Sequence, residues 1–124
     1  MNIDKDMLKH IENGQFIFNK HDMYLEDEIK THWDIRIAGE KTEWSLIDDP
    51  TKVDSVLAIE RQLRPEPTSI PNTVVQVDEG AVNLLETHEG KTVVFGGKDL
   101  HGTWIIVQDD ECIIPGSVKF VKSS

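Results

Sequence analysis

From residue 15 onward the apolar residues of this chain recur at every second position, in short runs, and glycine, proline or acidic residues separate the runs. The clearest run is "KTHWDIRI", residues 30–37, where Trp33, Ile35 and Ile37 alternate with His32, Asp34 and Arg36. Successive side chains of a strand point to opposite sides, so each set of three shares a face. Burying the apolar set leaves an imidazole, a carboxylate and a guanidinium in a row on the other face, about 7 Å apart. Such a row is either a metal and phosphate site or an ordinary solvated sheet surface.

The same alternation organises the rest of the chain. "QFIFNKH" (15–21) reads as a strand and "DMYLEDEIK" (22–30) as an acidic connection to the next. "AGEK" supplies a hairpin turn with Gly39, and "TEWSLI" is the returning strand, closed by "DDP". "KVDSVLAIERQL" (52–63) fits a helical face or a strand, and prolines 65, 67 and 71 make "RPEPTSIP" a rigid loop. "TVVQV" and "AVNLLE" flank "DEG" as a hairpin, as do "KTVVF" and "TWIIVQ" around "GGKDLHG". "ECIIPGSVKFVKSS" adds a short strand and a polar tail. Met7, Leu8 and Ile11 suit one or two helical turns ending at Asn13-Gly14, or a frayed terminus. The expected fold is mainly β, a compact closed or partly open barrel of short strands with one or two short helices. Residues 1–14 form a helical or flexible segment and residues 15–121 a single domain. Trp33, Ile35, Ile37, Trp44, Val75, Val77, Val94, Trp104 and Ile106 are the expected core.

A length of 124 residues suffices for one domain with its own core. No apolar run approaches the roughly 20 residues that cross a bilayer, so no membrane partner is expected. The acidic, mixed N-terminus reads as neither a signal nor a transit peptide, and a cytoplasmic setting follows. Cys112 is the single cysteine, which excludes an internal disulfide and a cysteine-based zinc site. The net charge of −10, from 13 basic and 23 acidic residues, opposes broad binding to a duplex. It still allows chemistry on a single terminal phosphate held by a local basic cluster.

Two groups of residues can carry chemistry. His21, His32 and Asp34 offer two imidazoles and a carboxylate, a donor set that holds a first-row divalent metal and leaves positions open. Arg36, one pleat beyond Asp34, can hold a phosphate bidentately. Arg61 and Arg64 in "RQLRPEP" form one of the few basic clusters, or simply offset Glu60 and Glu66. His88 and His101 fall in turn-like segments and are expected to face solvent. "FGGKDLHG" lacks both the spacing and the Lys-Ser/Thr ending of a phosphate-binding loop. No serine or cysteine is paired with a base.

The order "FIFNKH", "HWDIRI", "EWSL", "LAIE…RP", "IP", "VVQVDEG", "KTVVFGGKDLHGTWIIV" resembles the 3′-phosphoesterase domain of ligase D proteins. The resemblance spans roughly residues 15–108. It implies a compact β-barrel that removes 3′-phosphates and trailing ribonucleosides from DNA ends. It implies Mn²⁺, or another divalent metal, on His21, His32 and Asp34, with Arg36 and Arg64 on the substrate phosphate. The pattern departs from the family in places. The separation of eleven between His21 and His32 is longer, placing an acidic insertion near the expected pocket. Arg64 stands where the family has a histidine, and an arginine cannot donate a proton at neutral pH. The family's N-terminal Arg-Asp pair has no counterpart, and a glycine-rich stretch after the Ile-Pro is missing. The alternative is a non-catalytic barrel serving as an interaction or scaffold module of a larger phage or DNA-processing protein, with flanking domains as partners.

Overall fold

The computed structural model describes residues 14–63, 69–87 and 90–123. The helical or flexible segment expected over 1–14 falls outside the described residues, apart from Gly14. Among the described residues there are eight strands and no helix. They are β1 (Gly14–Tyr24), β2 (Ile29–Ile37), β3 (Thr42–Leu46), β4 (Ser55–Gln62), β5 (Asn72–Thr87), β6 (Gly90–Gly97), β7 (His101–Val107) and β8 (Ser117–Lys122). All pairings are antiparallel, and the order β1-β2-β3-β4-β8-β7-β6-β5 closes on itself as a barrel. No described helix is long and apolar enough to cross a membrane.

An eight-stranded barrel has an interior just wide enough for side chains to fill it. Alternation decides which ones. Phe16 and Phe18 of β1, Ile35 and Ile37 of β2, and Trp44 and Leu46 of β3 point inward and are buried. So do Val56 and Ala58 of β4, which settles "KVDSVLAIERQL" as a strand rather than a helix. Val82, Val93, Phe95, Trp104, Val118 and Phe120 complete the interior, with Leu100 plugging it from the β6–β7 loop. Each buried large apolar side chain contributes about 1.5–3 kcal/mol.

Five members of the expected core hold a different place. Trp33 and Ile106 are partly buried and pack against the cluster from its margin. Val94 gives way to Val93 and Phe95, because Val93 lies opposite Trp104 and Val94 opposite Thr103. In "KTVVF" either valine can start the alternation, and the bulk of Phe95 selects the odd positions. Val75 and Val77 are 57% and 39% exposed. Residues 72–79 of β5 pair only with β1 among the described residues, while pairing to β6 begins at Gly80. The first half of β5 therefore runs past the paired part of the wall, where no other described strand covers its apolar face.

The "DEG" segment is not a hairpin turn either. β5 continues through it as one sixteen-residue strand, paired with β1 from Asn72 to Val82 and with β6 from Gly80 onward. Val77 is the extra residue of a bulge opposite Phe18 and Asn19. A side chain at Gly80 would bring its Cβ to 2.7 Å from the Gly96 carbonyl oxygen, so only glycine allows this crossing. Asp78 turns the bend into a lock. Its carboxylate accepts the backbone N–H groups of Lys98 (3.2 Å), Asp99 (2.8 Å) and Leu100 (2.8 Å), fixing the β6–β7 loop to β5.

Burial pushes the Asp78 carboxyl up, but the N–H groups of Leu100, Asp99, Glu79 and Lys98 outweigh it and hold its pKa below the usual aspartate value. A depressed folded-state pKa contributes stability that is complete above the unfolded value of about 4 and is lost as pH falls through the folded one. Asp78→Asn should therefore lower stability by about 2–4 kcal/mol at neutral pH. Its urea midpoint should also fall less between pH 4 and pH 2 than that of the wild type. An unchanged acid limb would show that Asp78 carries none of the pH dependence.

Candidate metal centre

β1 and β2 pair so that His21 lies directly opposite His32 and Asn19 opposite Asp34. Because Phe18, Ile35 and Ile37 face the barrel interior, His21, His32, Asp34 and Arg36 stand on its outer surface. The separation of eleven residues between the histidines has a simple cause. β1 runs on to Tyr24 and β2 starts at Ile29, so the hairpin is closed by Leu25–Glu28, with Leu25 N–H donating to the Glu28 carbonyl at 2.9 Å. The expected acidic insertion is thus mostly strand. Its tip at Glu26 lies five residues beyond His21, about 16 Å along the strand at ~3.3 Å each. That exceeds the ~8 Å Debye length at physiological salt, so the tip acts on the cluster only weakly.

The three expected ligands converge. His21 Nδ1 and His32 Nε2 are 3.1 Å apart. Asp34 Oδ2 lies 3.7 Å from His21 Nδ1 and 3.3 Å from His32 Nε2. These separations define a triangle whose circumscribed radius is about 2.0 Å, so a point equidistant from all three sits at ordinary metal–ligand distance.

The surrounding hydrogen bonds show which ring atoms carry lone pairs. Asn72 Nδ2 donates to the Ile70 carbonyl at 2.8 Å, which turns Asn72 Oδ1 toward His21 Nε2 at 3.2 Å. His21 Nε2–H is then the donor, and Nδ1 presents its lone pair to the cluster. Arg61 Nη2 stands 3.3 Å from His32 Nε2, and since a guanidinium only donates, Nε2 accepts. In these tautomers His21 Nδ1, His32 Nε2 and Asp34 Oδ2 all turn acceptor lone pairs toward the same region, which Arg61 Nη2 also faces. The second oxygen of Asp34, Oδ1, is buried and has no hydrogen-bond partner among the described residues. A buried carboxylate left so is costly. The donor set, its spacing and the carbonyl-fixed tautomer of His21 all fit a divalent cation.

Around this cluster the charges are arranged in pairs. Arg61 Nη2 is 3.6 Å from Asp34 Oδ1, and Arg61 Nε is 3.8 Å from Glu43 Oε1. Glu43 lies across β3–β4 from Arg61 and across β2–β3 from Arg36. Burial, and then the Asp34 charge, push the Glu43 carboxyl above its usual pKa, against the pull of Arg61 and Arg36. Arg36 is exposed on the same outer face. Arg64 lies outside the described residues, as does His88, while His101 is exposed at the start of β7.

Arg61 points away from Glu60, whose side chain is buried on the opposite face of β4. The sequence carried a signal for this, since Arg61 alternates with Ile59 on the outward side. Asn72 carried none, because its role depends on the long-range pairing of β5 with β1. No family model matches the chain, and no curated protein matches its sequence.

Proposed function

We propose that this barrel is a divalent-metal-dependent phosphoesterase of the ligase D 3′-phosphoesterase type, acting on phosphorylated DNA 3′ ends in the cytoplasm. The observation that carries the reading is the convergence of His21 Nδ1, His32 Nε2 and Asp34 Oδ2 around one point. When bound there, Mn²⁺ or a similar ion supplies Lewis acidity toward a phosphoryl oxygen and lowers the pKa of a bound water. His21 is held in its ligating tautomer by Asn72. Asp34 neutralises part of the added charge. Arg36 lies one pleat away on the open face, within reach of a phosphate, as the resemblance implies. The site sits on the outside of the wall rather than in a closed cavity, so a bulky polynucleotide end can approach it.

The test is release of inorganic phosphate from a primer–template ending in a 3′-phosphate, with Mn²⁺. Turnover should be slow, because a net charge of −10 disfavours the approach of DNA. It should depend on Mn²⁺, vanish in His32→Ala, and fall about tenfold or more in Arg36→Gln. The same net charge favours a second reading, a non-catalytic scaffold barrel. Absence of turnover, together with no DNA binding at low salt, would decide for that one.

A further inference from the structure

We infer that Arg61, rather than serving as a structural counter-ion, is a second anion-holding residue of this centre beside Arg36, so that metal and oxyanion bind there synergistically. This rests on the metal reading above and adds a residue that neither the resemblance nor the spacing assigns. Three features of its position support it.

First, Arg61 sets its guanidinium against the ligand residues, with Nη2 at 3.3 Å from His32 Nε2 and 3.6 Å from Asp34 Oδ1. A cation entering between His21, His32 and Asp34 competes with it for His32 Nε2 and draws on the charge of the Asp34 carboxylate. The guanidinium must then give up His32 and take a new acceptor beside the ion. Second, its side chain is 40% exposed, while Glu43 anchors its Nε end at 3.8 Å. The anchored end fixes where the fork sits, and the exposed end is free to meet a solvent-borne ligand. Third, among the described residues of this face, the carboxylates Asp34 and Glu43 are matched in number by Arg36 and Arg61, so a divalent ion adds two positive charges to a matched set. Three protein ligands leave coordination positions open, and an oxyanion that bridges the ion and the Arg61 fork offsets that added charge.

The experiment titrates Mn²⁺ and inorganic phosphate, separately and together, against the wild type and the Arg61→Gln and Arg61→Lys variants. It reads melting temperature and calorimetric affinity. In the wild type, Mn²⁺ should stabilise alone, and phosphate should add a further shift only when Mn²⁺ is present. In Arg61→Gln, Mn²⁺ should bind roughly three- to tenfold more tightly, since one competing charge is gone. The phosphate affinity of the Mn²⁺-loaded Arg61→Gln variant should fall tenfold or more, about the loss of a charge-assisted hydrogen-bond pair. Arg61→Lys should retain part of it, as a point charge without the fork. A phosphate response that survives intact in Arg61→Gln, with Mn²⁺ binding retained, would overturn the role of Arg61 and leave the metal reading standing. No Mn²⁺ response in the wild type would sink the metal reading, and this inference with it.

Discussion

Truncating Trp44 to alanine should cost the barrel about 3–5 kcal/mol, a large part of the ~5–15 kcal/mol that holds a domain of this size together. Trp44 is fully buried, and its ring meets Phe120 edge to face, centroids 4.9 Å apart at 84°. Its strand neighbours are Ile35 on one side and Glu60 on the other, so its side chain lies at the centre of the β2-β3-β4 wall. Its indole Nε1 has no hydrogen-bond partner among the described residues, so the loss is one of packing and buried area rather than of a polar contact. Trp44→Phe keeps most of that area and removes the unpaired N–H, and should cost much less than the alanine. Urea unfolding of the three proteins measures this. A loss below about 1 kcal/mol in Trp44→Ala would mean that the barrel interior is not the packed core described here.

How much of this was legible in the sequence differs between the barrel and its site. Period-2 alternation sufficed for β2 and β3, which carry apolar residues on one face only, and for β1 the bulk of Phe16 and Phe18 outweighs Ile17 on the other face. It failed at Val75 and Val77, since alternation marks an apolar face without saying whether another wall covers it. It failed at "DEG" because a bend crossed by a glycine and a turn made by one look alike locally. What separates them is the pairing of Gly80 with both Phe16 and Gly97, a long-range fact. The face carrying His32, Asp34 and Arg36 was legible for the same reason that Ile35 and Ile37 were. That His21 joins them depended on the hairpin register, which "DMYLEDEIK" disguised as a loop. Arg61 was legible as an outward-facing cation but not as a neighbour of His32, and Asn72 was not legible at all, because both reach the cluster from strands distant in sequence.

Asp34→Asn should separate function from stability, with opposite signs. Asp34 places a buried carboxylate against two imidazole lone pairs, an arrangement suited to holding a cation and poor for the protein without one. An amide in its place turns one of the converging acceptors into a donor, able to bond His32 Nε2 or His21 Nδ1, and removes a buried charge. The variant should then melt roughly 3–5 °C higher than the wild type in the presence of a chelator, about the effect of 1 kcal/mol in a chain of this length. The Arg61 ion pair it gives up is 3.6 Å long and made by a partly exposed guanidinium, which limits its worth to about 0–1 kcal/mol. Added Mn²⁺ should reverse the order, because the wild type gains stability by mass action and the amide, a weak ligand, gains almost none. Asp34→Ala supplies no donor and leaves a gap, so it should lose both the metal response and the stabilisation. A structural role for Asp34 requires the other result, a lower melting temperature for Asp34→Asn at every metal concentration. Melting the three proteins with chelator and then with Mn²⁺ decides between a carboxylate kept for its fold and one kept, at some cost to the fold, for the ion it holds.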